Sequence, residues 1–162
     1  VTVDIVVLNA GSSSLKFSVF AGSADIPRAT GLVDWAGSSG NATCHVSADG
    51  HDRVASIQAE DHLGATRAAL VALTDLKLLD PAAEVAVGHR VVHGGAALRD
   101  AMPIDAEVRR QIDALSSIAP LHNPPALRAI DAARELLAGA SHVAVFDTAF
   151  YRDLKKEIES KV

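Results

Sequence analysis

The chain has 162 residues, 49% hydrophobic and 22% charged, a balance that suits one soluble globular domain with its own core. Fifteen Lys and Arg against twenty Asp and Glu give a formal net charge of −5. That excludes the basic footprint of a nucleic-acid binder, although a local cluster of donors can still hold a small anion. No apolar run approaches the ~20 residues of a membrane span. The start, "VTVDIVVLN", lacks the charged and apolar regions of a secretory signal, and the lone Cys44 excludes an internal disulfide, so a cytoplasmic location is expected.

In chain order, Val3 to Leu8 reads as a buried strand rich in β-branched residues. Leu15 to Phe20, "LKFSVF", alternates apolar and polar residues and predicts a second strand paired with the first as a hairpin. "TGLVDWAG" and "NATCHVSADGHDRVASIQ" read as further short strands, with Gly37, Gly40 and Asp49-Gly50 as turn signals. Residues 61–79 look helical, with Leu63, Leu70, Leu73 and Leu76 near a 3.6 period. Val85 to Val92 is a strand, and Asp105 to Ser117 a helix with Val108, Ile112 and Leu115 on one face. Pro124 and Pro125 open another helix, where a missing N–H costs least, and "HVAVFD" from His142 to Asp147 is again a strand. The closing "RDLKKEIESKV" is polar, with Leu154, Ile158 and Val162 periodic; it reads as a surface helix or tail. The order is α/β, with residues 1–150 as the domain and 151–162 as the polar C-terminal helix or tail.

Four places interrupt the apolar pattern with residues fit for chemistry. In "LNAGSSSLKF", Gly11 makes a tight turn, Ser12, Ser13 and Ser14 supply hydroxyls, and Lys16 a point charge. The stretch is either a polar hairpin turn or an anion-binding nest. It is no Walker motif, because the spacing is absent and a strand follows the loop. In "VGHRVVHGG" two histidines and Arg90 sit in a strand expected to be buried. Arg90 beside Val92 reads as a small carboxylate site, or as a structural ion pair with two core histidines, His89 and His93. In "APLHNPPAL", His122 precedes a proline-started helix, where it can donate to developing negative charge; alternatively Asn123 caps the helix and His122 is simply exposed. In "AVFDTAFY", Asp147 ends a strand, where open α/β sheets place ligands; a helix N-cap is the other reading.

Together, "VLNAGSSSLKF", "GHRVVHGG", "PLHNP" and "FDTAF" stand in the order and rough spacing of the acetate kinase family, which also holds propionate kinases. The resemblance runs from about Val3 to Phe150. It implies the N-terminal lobe of the actin, Hsp70 and sugar kinase (ribonuclease H-like) fold, a mixed sheet with flanking helices. The reaction implied is ATP + acetate giving ADP + acetyl phosphate, with Mg²⁺ and direct in-line transfer. By motif, Asn9, Ser12, Ser14 and Lys16 would contact the phosphates, with Asn9 close to the metal. Arg90 would hold the acyl carboxylate or the moving phosphoryl group. Val92 and Leu121 would wall the methyl pocket, His122 would stabilise phosphoryl charge, and Asp147 would position substrate and metal. Positioning and donors around the phosphoryl oxygens are what such a transfer demands.

The chain also departs from the family. Tyr151 stands where a His is usual, and the later "HGTSH"-type segment, further catalytic Arg, glycine-rich adenosine site and metal-binding Glu are not present in this sequence. The expectation is the acyl side of a short-chain acyl kinase without its nucleotide lobe, inactive alone, whose full-length form would dimerise largely through the other lobe. The competing expectation is a stand-alone, non-catalytic domain that binds a small carboxylate or phosphate, or works through a partner protein.

Overall fold

A computed structural model describes residues 3–37 and 40–149 of the chain. The polar segment expected over 151–162, and the domain boundary before it, lie outside the described residues. Among the described residues, eight strands form one sheet: β1 (Asp4–Ala10), β2 (Ser14–Ala21), β3 (Ala29–Asp34), β4 (Asn41–Ala48), β5 (His51–Gln58), β6 (Val85–Val91), β7 (Met102–Pro103) and β8 (Ser141–Phe146). Their spatial order is β5-β4-β3-β2-β1-β6-β8-β7. The first five strands make an antiparallel meander, as short turns allow. β6 then joins β1 in parallel and β8 joins β6 in parallel, each through a helical crossover, while the two-residue β7 closes that edge antiparallel to β8.

Among the described residues, the helices that accompany the sheet include α1 (His62–Asp75), α2 (Ala106–Ala114) and α3 (Asn123–Leu136). α1 packs on β2, β3 and β4, α3 on β1 and β6, and the two helices touch each other, with α2 behind α3. They bury the sheet face that carries Val6, Leu8, Leu15, Phe17, Val87 and His89. A second cluster, with Val91, Ile112, Leu127, Ile130 and Phe146, continues that core toward the β8 side.

The predicted strands are all present, and the helices are shorter than the periodicity suggests. α1 stops at Asp75 because Lys77 turns left-handed (φ 57°) and Leu78 and Leu79 fold back to donate to the Leu73 carbonyl. Its buried stripe is His62, Ala65, Thr66, Ala69, Leu70 and Leu73, the i, i+3, i+4, i+7 pattern with alanines where α1 lies close to its neighbours. α2 begins after Asp105, whose carboxylate accepts from the Val108 N–H at 2.8 Å, and it gives way to a 3-10 turn over Leu115–Ser117. Pro124 and Pro125 stand in the first turn of α3, as their missing N–H groups favour.

Candidate functional site at the open face of the sheet

Registration of the central strands decides which side chains can meet. Asn9 of β1 lies opposite Lys16 of β2. Leu8 pairs with His89, so Asn9 falls beside Arg90 of β6. Arg90 in turn pairs with Val145 of β8, two residues before Asp147. Side chains alternate across a strand, so Lys16, Asn9, Arg90 and Asp147 form one row on the face that α1 and α3 leave open.

The Arg90 guanidinium organises that row. Its Nε donates to both Asp147 carboxylate oxygens (3.0 and 3.1 Å), its Nη2 to Asp147 Oδ2 at 2.6 Å, and its Nη1 to Asn9 Oδ1 at 2.9 Å. The fork of N–H groups matches a planar carboxylate, which lysine could not do. The strand is not buried at this point: the Arg90 side chain is 45% exposed and that of Asp147 25%. The largely apolar run around Arg90 suggests a buried strand, but the face that carries it is open. Within β6 only the alternate residues, Val85, Val87, His89 and Val91, are buried. Beside the row lies an open groove of about 430 Å³ lined by Val7, Gly88, Arg90, Val145 and Asp147, with His89 and Phe146, whose side chains are buried, bordering it as well. Charge at one end and an apolar wall at the other suit a short carboxylate.

The β1–β2 loop ends the row on its other side. Gly11 N–H donates to the Ser14 carbonyl at 2.8 Å, and a Cβ on Gly11 would meet Ser14 Oγ at 2.8 Å. A Cβ would force the Ser14 hydroxyl to turn away and would sit 3.3 Å from the Ser14 carbonyl, so glycine is favoured here by close approach rather than by a left-handed φ. Ser12 and Lys16 are exposed and Ser14 is half-buried.

The remaining predicted residues lie apart from the row. Val92 follows the end of β6, half-buried. Leu121, 76% exposed, and His122, exposed, occupy the turn before α3. Neither Val92 nor Leu121 lines the cavity beside Arg90. His122 holds the N-cap position with no side-chain capping bond. Asn123, the residue read as a possible cap, is fully buried and clasps the loop after β6. Its Nδ2 donates to the His93 and Ile112 carbonyls (3.0 and 3.3 Å), and its Oδ1 accepts from His93 N–H at 3.3 Å. The following Gly94 admits no side chain, since a Cβ would lie 2.2 Å from the Leu98 carbonyl and 2.9 Å from the Phe146 ring. Thus "HGG" and "HN" form one joint between β6 and α3.

His89 does not reach the open face either. It stacks on His142 (ring centroids 5.4 Å apart), which in turn reaches the Leu137 carbonyl. That carbonyl can only accept, so His142 Nε2 carries a proton and its Nδ1 accepts from His89 Nε2 at 3.1 Å. Burial, with His142 and Arg134 nearby, pushes the His89 pKa down to about 3, and burial also lowers that of His142.

Mg²⁺ is a poor fit to these residues as a resident ion. No cluster of three His, Cys, Asp or Glu exists among the described residues, and the oxygens of Asn9 and Asp147 are already turned to Arg90. A magnesium–nucleotide complex brings phosphate and water ligands of its own, so any such metal belongs to the substrate.

An eight-stranded mixed sheet with helices on one face, and a charged row across its open face, resembles one lobe of a two-lobed kinase. Solved structures agree. The acetate kinase of Porphyromonas gingivalis superposes with a TM-score of 0.82 at 33% identity, over 91% of this chain and 38% of that one. A propionate kinase from Francisella tularensis gives 0.80 at 32%, with the same coverage. The fold is therefore the N-terminal lobe of the actin/Hsp70-like class. A family model described as the acetokinase family matches residues 4–159, and the chain belongs to that family. Among curated relatives, the acetate kinase of Syntrophomonas wolfei is 41% identical over 157 residues (93% of this chain, 38% of that protein). That of Clavibacter sepedonicus is 39% identical over 154 residues (94% and 39%). The chain spans under two-fifths of the length of the curated relatives it matches.

Proposed function

We propose that the chain supplies the acyl-binding half of a short-chain carboxylate kinase, which transfers the γ-phosphoryl group of Mg·ATP to acetate or propionate. The observation that carries this reading is the row Lys16–Asn9–Arg90–Asp147 beside a short apolar cavity. In it, Arg90 holds the carboxylate or the transferring phosphoryl group, and Asp147 and Asn9 hold Arg90 in orientation. Asn9 stands closest to the incoming nucleotide–metal complex. Ser12, Ser14 and Lys16 offer donors to the phosphate oxygens, and His122 meets charge developing on the phosphoryl group. Val92 and the exposed Leu121 become pocket walls when a second lobe covers them. Transfer then rests on positioning and charge stabilisation, with no covalent intermediate on the protein.

Such a site is completed by closure between lobes, and groups that act as a unit lose far more than their share when separated. The chain alone is expected to give no ADP above background in a coupled assay with acetate and Mg·ATP. It should still bind acetate or propionate weakly, seen as saturable shifts of the Gly88, Arg90 and Val145 amides, lost in R90A. Turnover well above background would overturn the half-site reading. Acetate shifts that survive R90A would overturn the role of the row.

A further inference from the structure

The loop between β1 and β2 is held more firmly than a turn of small polar residues requires. Besides the Gly11–Ser14 bond that closes it, two of its carbonyls are tied inward. Ser13 O accepts from the Trp35 backbone N–H at 3.1 Å, and Gly11 O accepts from His62 Nε2 at 2.6 Å. His62 is 51 residues away in sequence, is the first residue of α1, and is 5% exposed. Its ring stands edge-on to Trp35, with centroids 4.9 Å apart and planes at 89°. Its backbone is fixed as well. Asp61 caps α1 by accepting from Gly64 N–H at 2.8 Å, and Thr66 Oγ1 donates to the His62 carbonyl at 2.7 Å. The imidazole is thus held from α1, an element separate from the loop it contacts.

A carbonyl only accepts, so His62 Nε2 carries the proton in this contact. The consequence lies on the far side of the same peptide. In a trans peptide unit the C=O and N–H point in opposite directions. A Gly11 carbonyl turned toward His62 aims the Ser12 N–H away from α1, toward solvent, where Ser12 is exposed. Were that peptide to flip, a carbonyl oxygen would replace the amide donor at the surface and would repel an anion.

We infer that His62 is a positioning residue of the β1–β2 loop: its Nε2–H orients the Gly11–Ser12 peptide so that the Ser12 amide faces an incoming phosphate oxygen. The inference deepens, and rests on, the reading of this loop as a phosphate contact. It adds a residue on another element that touches no substrate.

The test uses the 162-residue chain with H62Q, H62N and H62F, and inorganic pyrophosphate as probe. Gln carries a donor at the reach of Nε2, Asn only at the reach of Nδ1, and Phe keeps a ring against Trp35 without a donor. Without probe, wild type and H62Q should show one loop conformation by amide relaxation dispersion, while H62N and H62F show millisecond exchange at Gly11 to Ser13. With pyrophosphate, the Ser12 amide should shift saturably in wild type and H62Q and bind about tenfold more weakly in H62N and H62F, the loss of roughly one charge-assisted hydrogen bond. Amide spectra elsewhere report whether each variant is folded. A quiet loop in folded H62N and H62F would overturn the inference. So would a folded H62Q as disturbed as H62N, which would assign the effect to ring packing. Loop exchange as expected, with no wild-type response to pyrophosphate, would uphold the orienting role and overturn the phosphate reading instead.

Discussion

Asn123 shows what a single side chain can contribute without touching a ligand. It is fully buried, and its amide satisfies the His93 N–H, the His93 carbonyl and the Ile112 carbonyl. In the sequence it looks like a helix cap, because Asn before two prolines is a capping pattern and nothing local reveals a partner 30 residues away. Arg90 was misplaced for a similar reason: apolar neighbours announce a strand, but which alternate residues face the core depends on where the helices pack. In contrast, Asp147 was legible as a strand-end residue, whereas Asn9 entered only through the family resemblance and its bond to Arg90 is a finding of the structure. N123A removes three hydrogen bonds and strands buried backbone groups, so it should cost roughly 2–4 kcal/mol. Urea unfolding should show the midpoint falling with the slope unchanged. A loss below about 0.5 kcal/mol, the scale of ordinary surface substitutions, would show that water replaces the amide there.

At the scale of elements, β6 is a strand with two chemistries, since Arg90 faces the open side and His89 the core. The strands themselves were legible because β-branched runs bounded by Gly, Asp and Asn leave few alternatives. The two-residue β7 carries too little pattern to be seen, and the end of α1 depends on a left-handed Lys77 that no propensity indicates. The relay from His89 through His142 to the Leu137 carbonyl joins β6, β8 and the C-terminal end of α3, and it needs a neutral His142, whose Nδ1 must accept. Arg134, on α3, adds positive charge nearby and opposes protonation further. An unfolded chain takes up a proton on His89 near pH 6.5, whereas the folded chain resists until about pH 3. Stability from this residue is thus complete above about pH 6.5 and is lost as pH falls toward 3, at up to about 1.4 kcal/mol per pH unit. H89Q keeps a donor toward His142 but does not titrate. Between pH 7 and 5 its unfolding free energy should fall less steeply than that of wild type. Parallel slopes would show that His89 protonates freely in the folded state.

At the scale of the whole molecule, the open face of the sheet gathers Lys16, Asn9, Arg90 and Asp147 while α1 and α3 pack on the other. Ile118 and Leu121, 65% and 76% exposed, add apolar surface beside His122. Such a surface is ready to be covered, and the relatives are more than twice as long as this chain. The candidate site residues could be named from motifs, but the contacts of His62 and Asn123 could not, because they act across 51 and 30 residues and carry no local signature. The decisive experiment supplies the cover. Residues 1–149 joined ahead of the part of a family acetate kinase that follows the matched span should give acetate-dependent ADP release. R90A in that chimera should lower kcat by about 10²–10³, the usual cost of removing one donor to developing charge, without a matching loss of stability, because Arg90 is half exposed. N123A should behave oppositely, lowering the melting temperature while the folded fraction keeps most of its rate. A folded, ATP-binding chimera without turnover would refute the assignment of this face to phosphoryl transfer. An R90A chimera as active as its parent would show that the guanidinium has a structural role only.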